Sequence, residues 1–360
     1  MRIRARQEDN MGKKREYFIA VACVFILLFG CRAKRDTSET DFFFLEKILT
    51  IDTENDDTAA RGLTDISYFD IDSEGKIFIG NVKAKEHFIF ILDKDGSLLS
   101  ACGGMGQGPG ELQSLRELAV TKQDEIFATD REKVVVFSNS GQFIREFRIE
   151  TDYQKIIPLD EERYLAIAVK MNEDLSQSFE VILCSSGLEE IKTLDRSKIE
   201  SFQKAVKVNI IPTLVHWEKS NKYIFTGNTD KYEIRKFNFE GDLVTTIKKE
   251  HKAMPLSAED KKEYQQRLKR YPDQIRDSFF IPDTFPPFRD FAAVDDQWLL
   301  VQTYEESETG GSLYDIFDSS GAYKGRTELA GSRVKFKGGK AYSLRQKESG
   351  YKELLVYRLN

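Results

Sequence analysis

The sequence predicts an all-β protein, a six-bladed β-propeller built of four-stranded antiparallel blades. A strand-like apolar run that ends in a polar turn and a glycine recurs five times, in the segments 88–96, 134–141, 179–187, 234–241 and 313–321. The closing glycines lie 45, 46, 54 and 80 residues apart. Upstream of these runs, a strand, a polar turn and a second strand recur, so each repeat supplies four short strands in about 45 residues, the period of a propeller blade. The 26 Phe and 14 Tyr residues also suit β structure.

The blades follow one another along the chain and use both of its ends. Their predicted bounds are 64–105, 115–150, 153–196, 208–250, 288–329 and 333–360. The last blade holds only three strand-like segments. We expect its fourth strand from Phe42 to Ile51, because a strand from the other terminus closes the ring and removes an open sheet edge.

One insertion, at about 255–280, interrupts the period between blades 4 and 5. Ser257 and Asp260 have the spacing of a helix-capping box. Apolar residues then recur at helical spacing, at Tyr264, Leu268, Tyr271 and Ile275. The sequence therefore predicts one or two amphipathic helices here. Packing against one face of the ring is the favoured interpretation, and a movable lid is the alternative.

The N-terminus has the order of a secretory signal. Basic Lys13, Lys14 and Arg15 precede an apolar run over 18–29 that is too short to span a bilayer easily. The run closes in Leu28-Phe29-Gly30-Cys31, which resembles the lipobox of bacterial lipoproteins. That resemblance implies a signal peptide over 1–30, a lipid on Cys31 that tethers the protein to the membrane, and a polar tether over 31–40 before a domain over 41–360. A plain N-terminal anchor helix is the alternative.

This resemblance also implies export and anchoring in the outer membrane. The residues after Cys31, Arg32 to Arg35, are basic and lack the acidic run associated with surface export in some lipoproteins, which favours the periplasmic side. Without 1–30 the chain holds 48 basic and 57 acidic residues. This negative balance disfavours nucleic acid as a partner. Cys102 and Cys184 lie in apolar strand-like contexts, which predicts two buried thiols and no disulfide between them.

A glycine-rich segment carries a second resemblance. Gly104-Met-Gly-Gln-Gly-Pro-Gly-Glu-Leu112, with the strands after it, resembles the NHL-type repeat. More broadly, 41–360 resembles the six-bladed β-propeller lipoproteins of Gram-negative bacteria, a family that implies architecture far more than activity. The segment lacks the Lys-Ser/Thr pair of a phosphate-binding loop and precedes a strand, which disfavours phosphate. We expect its glycines to allow a tight crossover between blades and Glu111 to accept backbone hydrogen bonds there.

Catalytic signatures are sparse. A six-bladed zinc lyase would carry several inward-facing histidines, but only His216 falls on a predicted inner strand, while His87 and His251 do not. Lactonase-like propellers hold a divalent cation with carboxylates and amides around the channel. Such oxygen ligands are available at Asp65, Asp130, Asn209 and Asp290, but similar residues are common in propeller turns. A G-x-S-x-G nucleophile motif is absent.

The remaining function is binding at the channel face, where the inner strands begin. The candidate ligand-binding residues are Arg116, His216, Phe288, Arg289 and Asp290. An Arg beside an aromatic ring can hold a carboxylate or stack on a sugar. The alternative is structural: Phe288 packs between blades while Arg289 and Asp290 pair. We therefore predict a lipid-anchored, non-catalytic binding or scaffold protein for a peptide, glycan or envelope protein, without a cofactor. A metal-dependent lactonase- or lyase-like enzyme with a divalent cation in the channel is the alternative.

Overall fold

The computed structural model describes residues 45–84, 86–151, 153–172, 177–199, 207–211, 215–308 and 310–359. Within them, six four-stranded antiparallel sheets form the predicted propeller. From inner to outer, the first three blades are β2 Tyr68–Ile71, β3 Ile77–Gly80, β4 His87–Leu92 and β5 Leu98–Gly104; β6 Glu117–Val120, β7 Ile126–Thr129, β8 Lys133–Phe137 and β9 Phe143–Arg148; and β10 Tyr153–Pro158, β11 Arg163–Met171, β12 Gln177–Ser185 and β13 Glu190–Ile199.

The other three blades continue this order, and the last uses the strand nearest the N-terminus. They are β15 Val215–Lys219, β16 Tyr223–Asn228, β17 Glu233–Asn238 and β18 Leu243–Lys248; β20 Asp290–Val294, β21 Trp298–Glu306, β22 Ser312–Asp318 and β23 Tyr323–Leu329; and β24 Arg333–Lys337, β25 Lys340–Gln346, β26 Lys352–Leu359 and β1 Leu45–Asp52. A short helix, α1 Asp56–Ala60, follows β1.

Strand β1 closes the ring as predicted. It pairs antiparallel with β26 from Leu45 opposite Leu359 to Asp52 opposite Glu353. The register shifts between Lys47 and Leu49, which marks a bulge at Ile48. The predicted part of the strand before Leu45 lies outside the described residues. The outer edge of β26 is thus covered by a strand from the other end of the domain.

The hydrophobic core is divided among the seams between neighbouring blades. One cluster joins Phe78 of blade 1 to Val135 of blade 2, and another joins Phe69 of blade 1 to Leu354 of blade 6. A third packs Phe291 of blade 5 against Ile234 of blade 4. Because each sheet is buried on both faces, its strands read as nearly continuous apolar runs, and the periodic pattern in the sequence follows from this packing.

The glycine at the end of each repeated run turns a hairpin between the two outer strands of a blade. Gly96, Gly141, Gly241 and Gly321 have φ values between 82° and 88°, as expected for a turn that needs a left-handed residue. In blade 3 the left-handed position of this turn falls on Leu188, with φ 63°, and not on the neighbouring Gly187. Leu188 is buried, so its side chain packs in the core despite the strained backbone.

The insertion between blades 4 and 5 is helical, as predicted. Ser257 caps α2, Ala258–Leu268, and forms a capping box with Asp260, while α3 spans Asp273–Arg276. Around it, Leu256 and Phe285 pack with Ile211, and the Phe285 ring stacks on Tyr304 of blade 5 at 4.6 Å. The insertion therefore has an apolar anchor on the ring, as the favoured interpretation expects.

The predicted start of blade 4 at residue 208 is wrong. Val208–Asn209 forms a separate strand, β14, that pairs in parallel with β19, Phe279–Phe280, of the insertion. The inner strand of blade 4 begins at Val215 instead. The apolar run over 208–211 therefore belongs to the attachment of the insertion, because Ile211 lies in its core cluster.

The glycine-rich segment has the structural role expected of it. The Glu111 carboxylate accepts a hydrogen bond from the Gly108 backbone N–H at 2.8 Å. A Cβ on Gly106 would lie 2.0 Å from Glu111 Oε2, so a side chain at this position would displace the carboxylate from its hydrogen bond. Met105 bridges to Leu112, which closes the loop between blades 1 and 2.

Cys102 and Cys184 are both buried free thiols, as predicted. The predicted signal peptide, Cys31 and the tether lie outside the described residues. In the part of the chain that is described, no helix has the length and apolar character needed to cross a membrane.

Candidate functional site

The six inner strands surround a central channel that contains two cavities. The entry cavity, about 200 Å³, lies where the inner strands begin and is lined by residues such as Tyr68, Lys155, Trp217 and Arg333. The exit cavity, about 110 Å³, lies where these strands end. Four charged residues line both cavities and define what we term the waist: Asp70, Glu218, Lys219 and Lys335. Charged side chains are unusual in strands that are otherwise apolar. Because several of them line this channel, we take the channel as the candidate site.

Three polar pairs join neighbouring inner strands across the channel wall. Lys335 Nζ of blade 6 lies 3.2 Å from Asp70 Oδ1 of blade 1. Lys155 Nζ of blade 3 lies 2.8 Å from Glu117 Oε2 of blade 2.

The third pair joins blades 4 and 5. His216 Nδ1 lies 3.0 Å from Asp290 Oδ1, and the ring of His216 also packs edge-on against Phe288. Since each of the six blades contributes one partner to these three pairs, the charges help to fix the blades around the channel.

The entry cavity combines cations with aromatic rings. Lys155 Nζ lies 5.3 Å from the centre of the Tyr68 ring, and the Arg333 guanidinium lies 6.0 Å from it. Arg333 Nη1 also donates a hydrogen bond to the Ser67 carbonyl at 2.8 Å, which holds the guanidinium at the rim. Trp217 packs partly against the core of blades 3 and 4 while lining the cavity. Such walls suit ligands with a carboxylate or a sugar ring.

Two side chains of the waist, Glu218 and Lys219, have pKa values shifted towards neutral pH. Burial raises the pKa of Glu218 to about 7, although Lys335 opposes this shift. Burial lowers the pKa of the neighbouring Lys219 to about 8. Burial also disfavours the charge on Lys335, but the carboxylates of Asp70 and Glu218 raise its pKa overall. The waist therefore changes its net charge close to neutral pH.

Of the predicted ligand residues, the structure brings His216 and Asp290 together at the entry cavity. Arg116 lies beside this cavity, just before β6, and its Nη1 donates a hydrogen bond to Gln154 Oε1 of blade 3 at 2.8 Å. These three residues therefore stay in the candidate site.

Phe288 and Arg289 lie elsewhere. Phe288 is fully buried and packs edge-on against Tyr232 in the seam between blades 4 and 5. Arg289 is exposed, and its guanidinium lies 5.0 Å from the Tyr304 ring beside the insertion. The ligand prediction is therefore wrong for both residues: Phe288 packs between blades, as the structural interpretation expects, and Arg289 belongs to the attachment of the insertion. The alternative Arg289–Asp290 pair is also wrong, since Asp290 pairs with His216.

The four oxygen residues considered as cation ligands do not converge. Asp65 accepts a hydrogen bond from Ser67 Oγ at 2.6 Å and lies 3.2 Å from Lys352 Nζ. The carboxylate of Asp130 accepts hydrogen bonds from backbone N–H groups at the start of blade 2, and Asn209 accepts one from the Ile211 N–H. Across the described ranges, no group of three or more His, Cys, Asp or Glu residues has the arrangement of a metal site.

Sequence reasoning missed most of the channel lining. The missed residues are Tyr68, Asp70, Glu117, Lys155, Glu218, Lys219, Arg333 and Lys335. The available signal was a charged residue inside each short inner strand, such as Glu117 in Glu-Leu-Ala-Val or Lys335 in Arg-Val-Lys-Phe-Lys. A charge in a strand that is otherwise buried needs a polar channel or an ion-pair partner, and here both are present.

Comparisons with known proteins agree with this architecture. Residues 55–273 match the model of the family DUF5128, described as a 6-bladed beta-propeller. A candidate exported protein from Bacteroides fragilis is 11% identical, with a TM-score of 0.55 over 90% of this chain and 97% of that one. A DUF4221 family member from Bacteroides vulgatus is 10% identical, with a TM-score of 0.51 over 89% and 99%. At these identities the likeness shows the fold alone. No curated protein matches the sequence.

Proposed function

The chain belongs to the DUF5128 family of six-bladed β-propellers, and on this premise we propose that it is a lipid-anchored, non-catalytic binding protein of the bacterial envelope. It is exported, carries lipid on Cys31 and faces the periplasm from the outer membrane. Its partner is a peptide, a glycan or an envelope protein. The lipobox-like segment before Cys31 supports the anchoring. A structural neighbour from Bacteroides fragilis is itself described as a candidate exported protein, which is consistent with export.

One observation carries the binding part of this proposal: the entry cavity is lined by cations and aromatic rings held in place by their neighbours. Lys155 is fixed by Glu117, and Arg333 is fixed by the Ser67 carbonyl. Tyr68 lies within reach of both cations. Because these groups are oriented before any ligand arrives, little conformational entropy is lost on binding. The NHL-like glycine-rich segment contributes to the scaffold and not to this cavity.

Photo-crosslinking in cells tests the proposal. A photoreactive p-benzoylphenylalanine replaces Tyr68 in the entry cavity. In the matched control, the same photoreactive residue replaces Phe143, an exposed aromatic residue at the outer edge of blade 2. We expect a covalent adduct from the Tyr68 position that disappears when Arg333→Glu is added. The same adduct from Phe143, with none from Tyr68, would place the partner on the outer rim and contradict the proposal.

A further inference from the structure

The waist contains two charged side chains whose hydrogen-bond partners are neutral backbone groups. Lys219 Nζ reaches across to blade 3 and donates to the Pro158 carbonyl at 2.7 Å. Glu218 Oε1 accepts a hydrogen bond from the Lys219 backbone N–H at 2.8 Å. By contrast, Lys335 and Asp70 neutralise each other across the seam between blades 6 and 1. The Nζ of Lys219 thus donates to a neutral acceptor, and the net charge of the waist around it depends on whether Glu218 is ionised.

The waist is reached from both ends of the channel. Its four residues line the entry cavity of about 200 Å³ and the exit cavity of about 110 Å³. A water molecule takes about 30 Å³ of liquid volume, so each cavity exceeds the space of several waters. A compact ligand group can therefore lie against Lys219 and Lys335, while the rest of a larger ligand extends into the entry cavity beside Trp217.

The charge at the waist depends on Glu218. With Glu218 ionised, the two lysines balance the two carboxylates of the waist. With Glu218 protonated, the waist carries one net positive charge, and its O–H can donate to an acceptor. The charged groups around it on the other inner strands are Asp70, Glu117, Lys155, Asp290, Arg333, Lys335 and Lys337. Within its own strand it adjoins Lys219 and follows His216 by two residues.

We propose that Lys219 and Lys335 bind a compact anionic group at the waist, a carboxylate or a phosphate, and that Glu218 takes up one proton from solvent when the anion binds. An ionised Glu218 would repel the anion in this enclosed site, whereas the protonated group donates a hydrogen bond to it. The inference deepens the proposed function, on which it rests, by naming the anionic group that the channel holds.

The test titrates the full-length chain, purified in detergent, with acetate and in a separate arm with inorganic phosphate. Fluorescence of Trp217 reports binding in a Trp298→Phe background, because the chain has only two tryptophans. Acetate keeps one charge between pH 6 and pH 8, so its arm isolates the protein's own protonation. We expect acetate affinity to fall about tenfold per pH unit once Glu218 ionises, as uptake of one proton requires. Comparing the two arms shows which source of anion is preferred.

The variants separate a binding role from a structural one. Glu218→Gln should bind acetate about five- to tenfold more tightly than the unsubstituted protein at pH 8. It should lose the steep pH dependence between pH 6 and pH 8 and keep only the shallow decrease that partial deprotonation of Lys219 causes. A variant that merely damages the fold would not bind more tightly. Lys219→Met should lose binding, whereas Lys94→Met, on an exposed hairpin of blade 1, should retain it.

Two results would overturn the inference. One is the absence of saturable binding of either anion at pH 6, and the other is unchanged or weaker acetate binding by Glu218→Gln at pH 8. If the photo-adduct at Tyr68 still forms in either case, only the anion site is wrong. If that adduct is also absent, the proposed function fails with it.

Discussion

At the residue scale, the ionisation of Glu218 links the channel to the stability of the fold. Burial raises the pKa of this carboxyl from 4.5 to about 7. Between these pH values the unfolded chain is ionised while the folded chain keeps its proton, so the folded state loses stability as the pH rises from 4.5 to 7. Above pH 7 the Glu218 carboxyl is ionised in both the folded and the unfolded state, and the loss of stability no longer changes with pH.

The Glu218→Gln variant should therefore be more stable than the unsubstituted protein at pH 8. The pKa shift corresponds to at most about 3 kcal/mol of unfolding free energy, and solvent screening reduces this to about 1 to 3 kcal/mol. At pH 4.5 the difference should nearly vanish. Urea unfolding at the two pH values measures it, with the exposed Glu74→Gln as the matched control. A Glu218→Gln variant less stable at pH 8 would show that the carboxylate is stabilising, contrary to this account.

The sequence could identify His216 and Asp290, but for Phe288 it left open both contact with a ligand and packing between blades. His216 and Asp290 lie at the starts of two inner strands, a position that the repeat pattern reveals, and ring geometry places them 3.0 Å apart. Phe288 is adjacent in sequence to exposed Arg289, yet it turns into the seam between the blades. The burial of one side chain in a loop depends on the packing of two blades, which the pattern of a single segment does not encode.

At the element scale, the strand β1 completes blade 6 and should govern the stability of the whole ring. Ile51 lies in this strand with 5% of its surface exposed and packs in the seam between blades 6 and 1. Ile48, at the bulge of the same strand, is 37% exposed. The two positions therefore offer a matched pair with the same residue type in one strand.

Ile51→Asp should destabilise the domain by about 3 kcal/mol or more, because it places an unpaired charge in an apolar seam. Ile48→Asp should change the free energy of unfolding by less than about 1 kcal/mol, since its side chain keeps contact with water. Urea unfolding compares the two variants. Equal unfolding midpoints would show that β1 adds little to closure.

The repeat pattern predicted most strands because, within a blade, strands that follow one another in the sequence pair with each other. The wrong prediction concerns a strand whose partner lies far away in the sequence. The run at Val208 reads as the first strand of a blade, but its partner, Phe279, lies 71 residues further on in the insertion. A parallel pair of two residues leaves no periodic signal, so a single sequence gives no means to separate it from the blade.

At the scale of the whole molecule, the predicted anchor decides where the propeller works. If the proposed anchor is right, Cys31→Ser should abolish incorporation of radiolabelled fatty acid, because the Cys31 thiol would carry the lipid. Cys23→Ser, within the preceding apolar run, should leave the incorporation unchanged. Labelling of both variants provides the measurement. Incorporation that persists in Cys31→Ser, or no label on the unsubstituted protein, would favour the plain anchor helix.

The propeller was predictable as a whole, whereas its channel chemistry was not. Repeat length and strand count specify six blades, but the channel is assembled from one strand of each blade, and charges far apart in sequence meet there. Lys335 and Asp70 pair across 265 positions of the chain because ring closure brings blade 6 beside blade 1. Only the closed ring reveals that the inner-strand charges pair in this way.

The most direct test of the account is a crystal structure of the full-length protein purified from its native membranes without a denaturing step. We predict non-protein electron density in the entry cavity, in contact with Trp217 and Arg333, with an anionic group directed at Lys219. Ligand density confined to the outer surface of the blades, with only ordered water in the channel, would contradict the account.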